Sequence, residues 1–222
     1  MRRQWNKCFC IGSYKTGTTS LESVFVQLGF RTLSNSPTTF SATREALKGK
    51  YDSLRTIAQN YDYMGDSPFC LGAIYIVLDT LYPRSKFILT IREDESWFKS
   101  FRVYHTKRIA ASSQKISKQD TLNWNFGYHG FACDILEYEY LNRPDYSAYP
   151  PYSKISWELF KDKYSYIDKY RERNSAILNY FVNRPDDLLV LDLSKEQTTR
   201  KILNFLNLPL FLESDMPHLN KN

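Results

Sequence analysis

The chain has 222 residues, 42% of them hydrophobic and 24% charged, which is typical of a soluble domain with a substantial core. Its net charge of +6 suits an anionic ligand, but the basic residues do not form the dense stripe that nucleic-acid binding requires. Because it lacks the apolar run of a signal peptide and any segment long enough for a membrane span, we expect a cytoplasmic protein.

The first predicted element is a buried strand at residues 7–12, "KCFCIG", which runs directly into a glycine loop. After the loop, apolar residues from Leu21 to Leu28 recur at helical spacing, and Gly29 is placed to end that helix. A strand, a glycine loop and a helix in this order are the setting in which a loop binds phosphate.

The rest of the chain alternates between predicted strands and helices. Further strands are predicted at 30–34, 61–68, 86–92 and 187–193, and helices at 43–60, 69–82 with Pro68 in its first turn, 94–109, 164–182 and from Ser194, which has capping-box spacing to Gln197. Residues 112–165 are polar, aromatic and interrupted by prolines, and we expect helical pieces and loops there. This alternation predicts a single α/β domain over 1–222, with a central parallel sheet of about five strands and helices on both faces.

The glycine loop lies in "CIGSYKTGTTSL" (10–21) and departs from the Walker pattern G-x-x-x-x-G-K-[ST] in one respect. Gly12 and Gly17 keep the spacing, but Thr18 stands where the Walker lysine would be, and Lys15 lies inside the loop. A lysine at the crest of the loop would contact the outer end of a bound anion. The sequence therefore favours a terminal phosphate with a reactive group beyond it, and it shows no sign of a metal site.

The loop offers several donors to such an anion. The helix N-terminus supplies backbone N–H groups and the positive end of its dipole. Further donors are the hydroxyls of Thr16, Thr18, Thr19 and Ser20. The alternative is a glycine turn that precedes a helix and binds nothing.

"GSYKTGTTSL" resembles the 5′-phosphosulfate-binding loop of the sulfotransferase family, whose donor is 3′-phosphoadenosine 5′-phosphosulfate (PAPS) and whose fold is related to P-loop kinases. The resemblance continues in "YPRSKFILTIREDESWFKS", where Arg92 ends a strand and Ser100 follows eight positions later. In the family, this pair holds the 3′-phosphate of the donor. An arginine at the carboxyl end of a parallel strand points into the ligand crevice. Arg92 alone could equally be a surface ion pair with Glu93 or Asp94.

The carboxyl third also resembles members of this family, from Tyr170 to the terminal "PHLNKN". In several branches a basic terminal loop closes over the adenosine bisphosphate product (PAP). The resemblance therefore implies that His218 and Lys221 contact this cofactor, with a frayed tail as the alternative.

The resemblance implies that Lys15 is catalytic, and it leaves the base open, since the family uses histidine or glutamate in different branches. Asp66 is the first candidate because it ends the third strand, although it could equally cap the helix after Pro68. His105 and His129 are the other candidates. An aspartate base needs a raised pKa to work well near neutral pH.

The implied acceptor is a hydroxyl or amine of a small molecule or glycan. Aromatic residues between Trp97 and Tyr152 could line its pocket, although aromatic residues at helical spacing more often form core. The oligomeric state is left open, a homodimer included.

Two rival functions remain. The first is a P-loop kinase that uses ATP, against which count the missing Walker lysine and the lack of a clear Walker B aspartate, Asp192 being the nearest. The second is a non-catalytic nucleotide-binding module that has kept the loop.

Overall fold

The structure, a computed structural model, describes residues 4–109, 116–124, 128, 130–131, 134–135 and 162–219. Lys221, His129 and most of the segment 112–165 lie outside the described residues, and so do the expectations placed on them.

Five parallel strands form one sheet, as the alternating pattern predicts. They are β1 (Cys8–Cys10), β2 (Thr32–Leu33), β3 (Tyr63–Met64), β4 (Lys86–Thr90) and β5 (Leu188–Leu191). Their order in the sheet, which the pattern does not specify, is β2-β3-β1-β4-β5. The central strand β1 pairs with β3 on one side and with β4 on the other, so that Cys8 lies opposite both Tyr63 and Lys86. The chain crosses from one side of β1 to the other between β3 and β4, and in open α/β sheets ligands bind at such a reversal of strand order.

Helices connect the strands. They are α1 (Thr18–Gln27), α2 (Pro37–Ala46), α3 (Asp52–Ala58), α4 (Ile74–Leu81), α5 (Asp94–Ile109), α6 (Lys118–Leu122), α7 (Lys163–Tyr180) and α8 (Arg200–Phe205), with 3₁₀ turns at Pro185–Asp187 and Leu210–Leu212. Within the part of the chain that the structure describes, none of the helices has the combined length and apolarity needed to cross a membrane.

Helices cover both faces of the sheet. Side chains alternate along each strand, so apolar side chains lie on both faces and both are buried. On one face, Phe9 packs against Phe69 and Phe87, and Phe87 packs against Phe181, the residue that follows α7. On the other face, Cys8 and Cys10 belong to a core cluster completed by residues of α1 and α8. Each fully buried aromatic or aliphatic side chain stabilises the fold by about 1.5–3 kcal/mol relative to exposure. The prediction of an α/β sheet covered on both faces is confirmed.

The predicted helix at 43–60 is wrong, because the chain forms two helices there. The first begins earlier, at Pro37, and its cap is Ser36, whose hydroxyl accepts a hydrogen bond from the Thr39 N–H at 3.2 Å. It ends at Ala46, and Gly49 then adopts the left-handed φ of +74° that separates α2 from α3.

Two predicted helix starts are also wrong. The helix expected from 69 begins only at Ile74, so Pro68 lies ahead of it rather than in its first turn. The last helix begins at Arg200, and the Ser194 hydroxyl donates to the Asp192 carboxylate at 2.6 Å instead of capping that helix. In both places, residues that the apolar spacing predicted to be helical form a local turn instead.

Replacing Gly12 with alanine is expected to destabilise the protein by several kcal/mol, as overpacking and backbone clashes do. A Cβ at this position would lie 1.9 Å from Thr90 Oγ1 and 2.5 Å from the Thr90 carbonyl oxygen. The free energy of unfolding, measured by urea titration, checks this result. Gly49→Ala is the matched control, since its Cβ would enter open space and its cost is only that of a left-handed φ. Equal losses in the two variants would contradict close packing at Gly12.

Candidate active site

A cavity of about 420 Å³ lies where the carboxyl ends of β1, β3 and β4 meet the N-terminus of α1 and one face of α5. Its described lining consists of Tyr14, Lys15, Gly17, Thr18, Thr19, Ser20, Asn35, Asp66, Arg92, Ser100, Tyr104, Arg108 and Leu219. Most of the residues that the sequence predicts for the site are therefore brought together, although they are far apart along the chain.

Hydroxyl groups fix the glycine loop against the end of the sheet. The Thr16 hydroxyl donates to the Ser13 carbonyl at 2.6 Å and lies 2.6 Å from Thr90 Oγ1, so this buried side chain faces the sheet and not the cavity. Lys15 and Gly17 both have left-handed backbone conformations, with φ of 67° and 98°. These conformations turn the loop into the first turn of α1, where the backbone N–H groups face a ligand.

Lys15 faces the cavity among other cations. Its Nζ lies 4.3 Å from the centre of the Tyr104 ring. Desolvation lowers the pKa of Lys15, and the positive charges of Arg92 and Arg108 lower it further. An anion bound between these groups would reverse the electrostatic part of this shift. The cavity therefore has the charge of an anion-binding site.

Arg92 follows β4 and is fixed by Tyr170 of α7. The Arg92 N–H donates to the Tyr170 hydroxyl at 2.9 Å, and that hydroxyl donates to the Arg92 carbonyl at 3.1 Å. The guanidinium donates to Ser96 Oγ at 2.8 Å and to the Lys15 carbonyl at 3.4 Å.

The two acidic neighbours of Arg92 bind other groups, which weakens the alternative of a surface ion pair. Asp94 pairs with Arg171 at 2.7 Å, and the Glu93 carboxylate accepts the N–H groups of Glu95 and Ser96. The guanidinium of Arg92 is thus directed toward the cavity, which Ser100 also lines.

An aromatic stack connects the loop to the Arg92 position. The rings of Trp97 and Tyr170 are parallel, with centroids 4.2 Å apart and an interplanar angle of 11°. Trp97 Nε1 donates to the Tyr14 carbonyl in the loop at 2.9 Å. Because Trp97 binds the loop and Tyr170 binds the Arg92 backbone, this pair of rings fixes the position of the loop relative to Arg92.

Asp66 lines the same cavity as the cations and lies two residues after β3. Thr18 Oγ1 donates to one carboxylate oxygen at 2.9 Å, and Asn35 Nδ2 donates to the other at 3.2 Å. Desolvation raises the pKa of Asp66, while the Thr18 hydrogen bond and the charge of Lys15 oppose the rise. The alternative role as a helix cap is wrong, since the next helix begins at Ile74 and Asp66 bonds across the site.

His105 packs away from the cavity. Its ring lies 4.4 Å from the Phe101 centroid and 5.2 Å from that of Trp124. Burial, followed by the charges of Lys15 and Arg108, lowers the pKa of His105 to about 3. A buried group with so low a pKa is a weak base, so Asp66 is the stronger candidate among the described residues.

The C-terminal segment returns to the start of α1. The Leu219 N–H donates to Ser20 Oγ at 2.9 Å, and Leu219 lines the cavity. His218 is exposed and is absent from the described lining. The main chain of this segment, rather than the histidine, closes this side of the described cavity.

Asp66 also occupies the place of a Walker B aspartate, which corrects the expectation that such a residue is missing. It follows the strand beside β1 and accepts a hydrogen bond from Thr18 at the start of α1. In P-loop NTPases, a Walker B aspartate helps to hold Mg²⁺. Asp192 instead follows the edge strand and pairs with Lys195 at 3.2 Å. Among the described residues, no group of three or more His, Cys, Asp or Glu side chains is arranged to hold a metal.

The family model of the sulfotransferase domain matches residues 7–222. The chain belongs to the sulfotransferase domain family. Family membership supports a transferase, and it confirms the resemblance to the sulfotransferase family. No curated protein matches the chain.

Three polar residues that line the cavity were not predicted from the sequence, namely Tyr14, Asn35 and Arg108. Tyr104 lies among the aromatic residues expected to line the acceptor pocket. Arg108 could have been found, because Tyr104 and Arg108 follow Ser100 at successive intervals of four on a predicted helix and so share its face. Asn35 lies in the loop after β2, and no local pattern connects it to Asp66.

Proposed function

We propose that this sulfotransferase moves the sulfuryl group of PAPS to a hydroxyl or amine of a small-molecule or glycan acceptor. The observation that carries the proposal is the convergence of Lys15, Arg92 and the α1 N-terminus on one cavity, which Asp66 also lines. Within the described residues, Cys8, Cys10 and Cys70 are buried thiols, which suits the cytoplasmic location that we also propose.

The residues present fit the donor. Lys15, the backbone of Thr16 to Gly17 and the first turn of α1, with Thr18, Thr19 and Ser20, would hold the 5′-phosphosulfate. Arg92 and Ser100 would hold the 3′-phosphate, and Lys221 would contact the nucleotide. The first turn of α1, which the structure describes in full, carries no acidic side chain that would repel an anion. When bound, PAPS supplies a sulfuryl group attached to a phosphate that can leave.

Lys15 would stabilise the negative charge that develops on the phosphate side. Its side chain faces the cavity, and the Tyr104 ring and the left-handed backbone at Lys15 fix its direction. A cation already aimed at the position where charge develops needs little reorganisation, and such preorganised electrostatics are often the largest contribution to catalysis.

Asp66 would accept the proton of the acceptor. Its raised pKa makes it a stronger base than an exposed aspartate, and its hydrogen bonds from Thr18 and Asn35 orient the carboxylate. The Thr18 hydrogen bond stabilises the charged form of the carboxylate and so opposes the rise in its pKa.

The kinase rival predicts a different ligand. The place of Asp66 beside the loop would suit Mg²⁺, yet Thr18 stands where the Walker lysine would contact the β and γ phosphates. The non-catalytic alternative predicts nucleotide binding without turnover.

Adenosine 3′,5′-bisphosphate without metal is expected to raise Tm by about 5–10 °C at a concentration one hundred times its Kd. Thermal shift in the presence of EDTA measures this effect. Adenosine 5′-monophosphate is the matched control, since it lacks the 3′-phosphate that Arg92 and Ser100 would bind. Arg92→Gln is expected to reduce the difference between the two ligands.

Stabilisation by MgATP alone would contradict the proposal and favour a kinase. Stabilisation by the bisphosphate, followed by no transfer of labelled sulfate to a broad panel of hydroxyl and amine acceptors, would instead favour the non-catalytic module.

A further inference from the structure

Tyr14 lies beside Lys15 in the glycine loop, lines the cavity and has no role in the function proposed above. Its hydroxyl forms a hydrogen bond with the Ser67 hydroxyl, 53 residues further along the chain. Ser67 is completely buried and immediately follows Asp66. One side-chain hydrogen bond therefore joins the immediate neighbours of the two residues that are proposed to act in the transfer.

The backbone at both of these residues depends on the contacts around it. Lys15 and Asp66 have left-handed conformations, with φ of 67° and 56°. Residues other than glycine rarely adopt this conformation, and it persists where the surrounding structure imposes it. The Tyr14 carbonyl accepts a hydrogen bond from Trp97 at 2.9 Å, which fixes the turn at Lys15. The bond between Tyr14 and Ser67 then fixes the turn at Asp66 relative to it.

A second bond joins the same two turns. Thr18 Oγ1 donates to the Asp66 carboxylate at 2.9 Å, so the loop is attached to the Asp66 turn on both sides of Lys15. Desolvation is the largest cause of the pKa shift of Lys15 and of Asp66, and the charge of each also acts on the pKa of the other. The two side chains therefore lie close enough in the cavity to act on a single bound group.

The Tyr14 hydroxyl stays neutral in this position. Burial raises its pKa well above the ordinary value of 10.0, and the neighbouring Cys70 and Asp66 raise it further. A tyrosine that does not ionise is a poor proton acceptor near neutral pH. Any contribution of this hydroxyl to the transfer therefore comes from the hydrogen bond that it makes.

We propose that Tyr14 is a positioning residue for sulfuryl transfer, because its hydrogen bond with Ser67 sets the distance between the two catalytic groups. In the proposed function, on which this inference rests, Lys15 stabilises the leaving phosphate and Asp66 accepts the proton of the acceptor. Both side chains must reach one transferring group at the same time, and a misplacement of about 1 Å can lower the rate about 100-fold. Bisphosphate binding does not require Asp66, so it should not depend on the Tyr14 hydroxyl.

The inference is tested with inorganic vanadate, added to protein saturated with adenosine 3′,5′-bisphosphate in metal-free buffer. Vanadate adopts the trigonal bipyramidal geometry of a transferring group, so its affinity reports the placement of both catalytic groups without an acceptor. Calorimetry is expected to show that Tyr14→Phe binds vanadate about tenfold or more weakly, with bisphosphate affinity unchanged. Ser67→Ala is expected to weaken vanadate binding as well. The double variant should bind vanadate as Tyr14→Phe does, because both changes remove the same bond.

Tyr82→Phe is the matched control. Tyr82 is a buried tyrosine outside the described lining of the cavity, and its hydroxyl donates to the Arg55 carbonyl at 2.7 Å. Each of the two Tyr→Phe variants removes one hydrogen bond and is expected to lower Tm of the unliganded protein by about 2–4 °C. Only Tyr14→Phe is expected to lose vanadate affinity, which separates positioning from a general loss of stability.

Unchanged vanadate affinity in Tyr14→Phe, or an equal loss in Tyr82→Phe, would overturn the inference. An equal fall in bisphosphate affinity would make Tyr14 a donor-binding residue, and additive losses in Tyr14→Phe and Ser67→Ala would show that the two share no bond. Either result would also overturn it, as would an unaltered protein that binds the bisphosphate but not vanadate. Failure of the unaltered protein to bind the bisphosphate is a different result, which removes the proposed function and the inference with it.

Discussion

Replacing Asp66 with asparagine is expected to lower kcat by about 10²–10⁴-fold, the usual contribution of a general base, with little change in bisphosphate affinity. Asparagine keeps the size of the side chain and can still accept the hydrogen bond from Thr18, so the loop should stay in place. Steady-state kinetics with the first acceptor found, together with bisphosphate titration, measures both quantities. Asp186→Asn, a change at an exposed aspartate after α7, is the control and should be neutral.

The pH profile of the unaltered protein gives a second check on Asp66. Because burial raises the pKa of Asp66 above its ordinary value of 3.8, activity should fall as pH drops through this raised pKa. The acid limb of kcat/KM is therefore expected at higher pH than an exposed aspartate would produce. A profile that stays flat down to the ordinary pKa of aspartate would contradict the assignment, as would near-normal turnover in Asp66→Asn.

The raised pKa of Asp66 also predicts that Asp66→Asn is more stable than the unaltered protein at pH 7. The folded pKa of Asp66 lies above the unfolded value, so between these two values the folded protein binds more protons than the unfolded protein. This contribution to stability is complete below the unfolded pKa and is lost as pH rises through the folded pKa. Asparagine does not ionise, so Asp66→Asn should have a higher Tm than the unaltered protein at pH 7. A lower Tm would indicate that the carboxylate serves mainly to hold the loop.

Replacing Lys15 with methionine is expected to lower kcat by about 10²–10³-fold, the cost of removing one preorganised group that stabilises developing charge. Bisphosphate affinity is expected to fall by about tenfold, because one charge-assisted hydrogen bond to the 5′-phosphate is lost. Methionine keeps an unbranched stem beside Tyr104 and removes the charge. Single-turnover kinetics and bisphosphate titration separate the two effects.

The control for Lys15→Met must account for its backbone, since Lys15 has a left-handed φ of 67°. Arg84 is a second cation with such a conformation, at φ 63°, and it is exposed and outside the described lining of the cavity. Arg84→Met should therefore introduce the same backbone strain as Lys15→Met, if there is any, and it should leave turnover unchanged. Equal losses of activity in the two variants would show that the effect is structural, and Lys15 would no longer be placed in the mechanism.

Local features of the sequence were enough to predict the α/β class and several residues that line the cavity. Strand, loop and helix are encoded over short distances, so Lys15 and the α1 N-terminus could be placed together. The interval from Arg92 to Ser100 likewise lies within one strand end and the following helix. The limits of several helices were not predicted, because turns at Gly49 and after Pro68 override the apolar spacing.

The partners of Asp66 were decided only by the tertiary structure. The sequence placed this aspartate at the end of a strand but did not show which strands are neighbours. The pairing of β3 with β1 brings Asp66 close to Thr18, which is 48 residues away in the sequence. Asp192 follows the edge strand β5, and it pairs with Lys195 in the turn that comes next. Strand order depends on contacts between distant segments, and no local spacing records them. For the same reason, Arg108 could be assigned to the face of a helix from the sequence, while its approach to Lys15 through Tyr104 required the folded chain.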